Sequence, residues 1–149
     1  MATASRRKDI VAQSFLKKKE NFIMPYRTAK LMLEGKDIPM KALGFDPVLL
    51  LLFIRMIEEY GENGKKTGKI LGYTYECVDT TNFDRFRIKI KGQTMPLMSN
   101  EDLQELREKG DKVAVEFVEP TVRLYWSSIS NGYEESFSAK DVLLVTADL

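Results

Sequence analysis

The stretch NFDRFRIKIKG, residues 82–92, places Phe86, Ile88 and Ile90 at every second position, with Arg85, Arg87, Lys89 and Lys91 between them. Side chains on a β-strand point alternately to opposite faces, so this spacing gives one apolar face and one face of four cations. Upstream, TGKILGYTYECVD (67–79) alternates in the same way and sets Tyr73, Tyr75 and Cys77 on a common face. Downstream, TMPLM (94–98) follows a Gly-Gln turn and reads as the third strand of a meander.

The next segment, SNEDLQELREKG (99–110), has the marks of a short helix. Ser99 or Asn100 caps it, acidic residues fill its first turn, Arg107 and Lys109 lie near its end, and Gly110 stops it. Strands resume in DKVAVEFVEP (111–120) and TVRLYWSS (121–128), and ISNGY (129–133) turns the chain into EESFSAKDVLLVTADL (134–149). Three strands, one helix, then two or more strands is the order of an OB-fold, a five-stranded Greek-key barrel with its helix between the third and fourth strands. The expected class is mainly β with helices (α+β): an OB-like barrel with an N-terminal helical extension, SH3-like and other small barrels being the alternatives.

On the N-terminal side, GFDPVLLLLFIRMIEEYGENGKK (44–66) predicts a helix over 46–60. Asp46 suits its cap, Pro47 its first turn, and Gly61 with ENGKK its stop. Residues 25–41 read as short helical or irregular pieces broken by Gly35 and Pro39, and 1–24 as a basic arm with scattered apolar side chains. The division expected is 1–44 for arm and extension, and 45–149 for helix plus barrel.

Composition removes whole classes of chemistry. The chain of 149 residues has no histidine and one cysteine, Cys77. A Ser-His-Asp triad, a Cys-His pair, a zinc site built on histidine or thiolates, and an internal disulfide are all excluded. No phosphate-binding glycine loop is present. Carboxylates at Asp79, Asp84, Glu119, Glu134 and Glu135 leave a Mg²⁺-dependent nuclease as a third-ranked reading, with nothing in their spacing that favours it. The expectation is therefore a non-enzyme without cofactor or metal. The longest apolar run, VLLLLFI (48–54), is far short of the roughly 20 residues of a membrane-spanning helix. With a basic, polar start and no secretory signal, the sequence predicts a cytoplasmic protein away from membranes.

The net charge of +1 hides an asymmetry. Residues 1–30 carry eight basic and two acidic side chains; the remainder carries 15 and 20. A basic arm on a mildly acidic domain can follow a polyanion or dock on another subunit. Arg6, Arg7, Lys17 and Lys18, with Phe15 and Phe22, are its candidate contacts, and a homo-oligomer joined through the arm is the expected assembly.

The cations of 85–91 form an unbroken positive face, where ordinary outer faces mix signs. In TVRLYWSS, alternation turns Val122, Leu124 and Trp126 inward and leaves Arg123 and Tyr125 outward. Cations beside exposed aromatics are the composition of a single-stranded nucleic-acid site, because phosphates need positive charge and unpaired bases offer faces for stacking. Arg85, Arg87, Lys89 and Lys91 are the candidate phosphate contacts, Tyr125 with Tyr73, Tyr75 or Tyr133 the stacking candidates, and Arg123 suits either task. The rival from another class is a protein–protein interaction module that uses the barrel and docks through the 46–60 helix at Leu50, Leu51 or Phe53.

The closing segment adds a resemblance. KVAVEFVEPTVRLYWSSISNGYEESFSAKDVLLV (112–145) has Val118 with Pro120, Gly132 with Tyr133, and Ala139 with Asp141 and Val142. In these positions it resembles accessory DNA-binding proteins of Gram-positive conjugative plasmids and transposons, among which are OB-fold single-stranded DNA-binding proteins. The resemblance covers at most the last 85 residues. It implies binding of single-stranded DNA in support of conjugative transfer or replication, with a conjugation helicase or relaxase as further candidate partners; tolerance of sequence follows from stacking, since every base has a ring face.

Overall fold

The computed structural model describes residues 31–145. The roles expected of Arg6, Arg7, Phe15, Lys17, Lys18 and Phe22, and the first 30 residues of the arm and helical extension expected over 1–44, lie outside these residues. Residues 33–145 form one unit, mainly β with one α-helix among the described residues. The strands are β1 (Asp37–Pro39), β2 (Val48–Tyr60), β3 (Lys66–Val78), β4 (Arg85–Lys91), β5 (Ala114–Val118), β6 (Thr121–Ser127), β7 (Gly132–Ser138) and β8 (Asp141–Leu144), and the helix is α1 (Asn100–Glu108). Their order in the sheet is β1-β6-β7-β4-β3-β2-β5-β8. The expected α+β class holds. Among the described residues the sheet has eight strands where five were expected, and its ladder is open, ending at β1 and β8.

The helix expected at 46–60 is the strand β2. A run that is apolar on all sides suits a strand between two neighbours as well as a buried helix, and its 13 residues mislead because most strands are about half as long. Tertiary pairing decides: β2 lies antiparallel to β3 along its length and to β5 at Val48–Leu50. The apparent cap and stop are turn chemistry. Asp46 Oδ1 accepts the Val48 N–H at 3.0 Å, and Asn63 Oδ1 accepts that of Lys65 at 3.2 Å beside Gly64 at φ +74°. An Asn-Gly pair between alternating runs is a hairpin signal, and here it joins β2 to β3. TMPLM (94–98), expected as the meander's third strand, is loop; β2 takes that place in β2–β3–β4. Residues 37–43, read as part of the extension, join the sheet as β1 and one 3₁₀ turn.

The helix α1 forms as its sequence predicts. Ser99 Oγ accepts the Asp102 N–H at 3.1 Å, Glu101 and Asp102 sit at the positive end of the helix dipole, and Gly110 adopts φ +85° just beyond the end. Leu103 buries its apolar side in the core. Asn100 reaches the other way: its carboxamide accepts the Ile54 N–H at 2.9 Å and donates to the Ile54 carbonyl at 2.8 Å, extending the ladder of β2 where no strand follows.

One core takes Leu49, Leu51 and Ile54 from β2, Tyr73, Tyr75 and Cys77 from β3, Ile88 and Ile90 from β4, Val115 and Phe117 from β5, and Val142 from β8. Strands β7 and β8 are nearly continuous, so the chain links two ladders: β7 runs parallel to β4, and β8 antiparallel to β5. At the bend the Ala139 N–H donates to the Lys89 carbonyl and the Lys140 N–H to the Val118 carbonyl. Gly72 lies where β3 crosses close to β4, and a Cβ there would sit 3.0 Å from the Lys91 Cα and overlap the Ile90 carbonyl oxygen. Burial pushes the Cys77 thiol up to about 12. A thiol reagent at neutral pH should therefore label Cys77 only as fast as the protein unfolds; rapid labelling of the native protein would show this part of the core to be open.

Candidate nucleic-acid interface

Strand β4 presents the face its sequence predicts. Arg85, Arg87, Lys89 and Lys91 are exposed, whereas Ile88 and Ile90 are buried and Phe86 is half-buried. The register carries this face across the sheet. Arg87 lies opposite Glu76, Lys89 opposite Thr74 and Ser138, Glu76 opposite Phe53, and Thr74 opposite Arg55. On the far side of β7, Arg123 and Tyr125 of β6 share the same face, opposite Ser136 and Glu134. The surface therefore runs from Phe53 and Arg55 on β2 to Arg123 and Tyr125 on β6, with the cations of β4 in the middle.

Charges on this face are partly matched. Arg87 Nε lies 3.2 Å from Glu76 Oε1, and Arg55 Nε 3.7 Å from Glu76 Oε2. Arg123 forms a two-point fork with Asp37, at 2.8 and 2.9 Å, which ties β1 to β6. That hydrogen bond holds the Asp37 carboxyl below the usual range and raises Arg123. A depressed carboxylate contributes stability above its unfolded pKa and loses it as pH falls through the folded value, so the fork loosens only in acid. Among the described residues Arg85, Lys89 and Lys91 have no carboxylate within 4.0 Å, and they stand two or four residues apart on one strand. Neighbouring cations on the face are thus about 6.6 Å apart, twice the strand rise.

The aromatic candidates separate. Tyr125 is 39% exposed on the cationic face, and its hydroxyl donates to Glu134 Oε2 at 2.7 Å, which fixes the ring beside Arg123. Tyr73 and Tyr75 are corrected to core residues: they face Ile90 and Ile88 across the β3–β4 ladder, on its buried side. The Tyr75 hydroxyl donates to Gln93 Oε1 at 2.7 Å and accepts the Leu97 N–H at 3.0 Å, pinning the loop between β4 and α1, and burial pushes the phenol up. Tyr133 lies on the side of the sheet opposite Arg123 and Tyr125, edge-to-face with half-buried Trp126 at 5.1 Å, its hydroxyl 3.4 Å from Glu34. Of the docking residues expected on a 46–60 helix, Leu51 is buried and Leu50 half-buried on the strand β2, while Phe53 is exposed.

Sequence reasoning missed Arg55 and Glu76, and it placed Phe53 only in a protein-docking surface. Phe53 is 40% exposed, and the Arg55 guanidinium lies 5.7 Å from its ring centroid. Reading 46–60 as a helix hid the shared face of Phe53 and Arg55, and the register shifts around Ile57 and Glu58 break the alternation that could be traced back from the Asn63-Gly64 turn. Among the described residues no three carboxylate or thiol side chains gather as a metal site; of the carboxylates considered, Asp79, Asp84 and Glu135 line one cleft without forming such a group. Nor, among the described residues, is any helix long and apolar enough to cross a membrane. No family model, no curated protein and no solved structure matches the chain.

Proposed function

We propose that this is a non-enzymatic, sequence-tolerant single-stranded DNA-binding protein that holds the sugar–phosphate backbone on the outer face of β4. The observation that carries the reading is the ladder of four exposed cations, three without a carboxylate partner among the described residues. Its spacing of about 6.6 Å is close to the phosphate repeat of an extended strand. Tyr125 at one border and Phe53 at the other supply ring faces for unpaired bases, which a duplex would hide. An OB-like barrel, partly open, is the architecture we assign. In support of it, β2, β3, β4, β5 and β8 send side chains into one core, and the β7–β8 run connects β4 to β5. A role in conjugative DNA transfer or replication rests on the resemblance of the closing segment alone.

The aromatic part of the reading has its own test. Stacking contributes about 1–3 kcal/mol per base, so Tyr125→Ala should weaken single-strand binding by roughly 5- to 150-fold and leave duplex binding unchanged. Equal losses on both substrates would show that Tyr125 acts by shaping the face and not by stacking. The interaction-module reading rested on a helix at 46–60, where the chain forms β2.

A further inference from the structure

The pairing of Glu76 with Arg55 and Arg87 has a use that the cation ladder alone does not explain. Glu76 sits on β3 between the arginine-bearing strands, and both of its carboxylate oxygens are engaged, one toward each guanidinium. Its side chain is only 16% exposed, while those of Arg55 and Arg87 are 63% and 70% exposed. The closest approach is through Nε in each case, so the terminal nitrogens, which can make a two-point fork with phosphate, are not the atoms nearest the carboxylate. One recessed negative charge thus stands under two more exposed cations, next to the β4 cations in the face assigned to the strand.

We infer that Glu76 sets the affinity of this face: it is a built-in competitor that a bound phosphate must share Arg55 and Arg87 with, and it marks Arg55 of β2, together with Arg87 of the β4 ladder, as one phosphate subsite. The inference rests on the nucleic-acid reading above. A carboxylate already neutralises part of the pair, so a phosphate arriving there displaces fewer counterions than two free arginines would release. It also keeps both guanidinium groups in place without a ligand, at an ion-pair cost that is small on an exposed surface. The consequence is a face that grips a strand and lets go of it. An uninterrupted cationic face would hold the strand more tightly and discriminate less between polyanions.

The test is a titration of a fluorescent oligothymidylate strand with the wild-type protein, Glu76→Gln, Glu116→Gln and the Arg55→Gln/Glu76→Gln double variant over a range of salt. Glu116 is exposed on β5, two strands from Glu76 in the sheet, makes no ion pair with Arg55 or Arg87, and provides the same charge change. Freeing one unit of charge should tighten Glu76→Gln by about fivefold at about 0.1 M salt and steepen its salt slope by about 0.7. Glu116→Gln should match the wild type, and removing Arg55 should cancel most of the gain. Wild-type binding with an unchanged or weakened Glu76→Gln would overturn the inference while leaving the cation ladder standing. An equal gain in Glu116→Gln would reduce it to an effect of net charge. Absence of strand binding by both the wild type and Glu76→Gln would overturn the nucleic-acid reading and this inference together.

Discussion

Reversing three charges on β4, Arg85→Glu with Lys89→Glu and Lys91→Glu, is expected to abolish single-strand binding without unfolding the protein. Each neutralised phosphate contributes about 0.7 to the slope of log K against log salt for a single strand. With three phosphates left without their cations, affinity at about 0.1 M salt falls by about two decades, and the repulsion introduced by the new carboxylates adds to that. All three side chains are exposed and make no ion pair among the described residues, so the fold should tolerate the change to within about 0.5 kcal/mol per site. Fluorescence anisotropy against a labelled strand, with a urea melt of the same sample, checks both halves. A variant that stays folded and binds as the wild type does would remove β4 from the interface.

The second large effect is on stability. Tyr75 is fully buried, packs edge-to-face on Phe117 at 6.3 Å between centroids, and fastens the 92–99 connection through its hydroxyl. Tyr75→Ala should cost about 3–5 kcal/mol by the cavity it leaves. Tyr75→Phe keeps the ring but strands the Leu97 N–H and the Gln93 carboxamide oxygen, for about 1–3 kcal/mol. Against a total of about 5–15 kcal/mol for a domain, the first change brings the protein near its unfolding threshold. The shift of the urea midpoint reads both. A normal midpoint together with a loss of DNA binding would instead place Tyr75 at the interface, as the sequence had allowed.

Strands β3 and β4 show what could be read in advance. The alternation of 82–92 was legible because a half-exposed strand carries its two faces in its sequence, and β4 presents them as written. The helix after residue 99 was legible because its cap, first-turn acids and terminal glycine agree. Strand β2 was not, because apolar residues on both sides erase the period that tells strand from helix, leaving only turn chemistry at either end. The fate of Tyr73 and Tyr75 depended on register. Alternation set them on one face of β3, but which face is buried follows from their pairing with Ile90 and Ile88, a long-range fact. Tyr133 differs again: antiparallel pairing puts it opposite Trp126, and the side of Trp126 is not the side of Tyr125. The fork of Arg123 with Asp37 spans 86 residues, and no local pattern announces it.

The site that emerges has fewer aromatics than its sequence suggested and a better-defined line of charge. Binding should accordingly be governed by the backbone of the strand, with base stacking at Tyr125 and Phe53 as the smaller share. The account stands most directly on how the wild-type protein's affinity for a labelled single strand changes with salt. Three to four phosphates on the β4 ladder predict a log–log slope of about −2 to −3, a loss of roughly 20- to 50-fold between about 50 mM and about 200 mM salt. A slope near zero, or no binding at the lower salt, would contradict it.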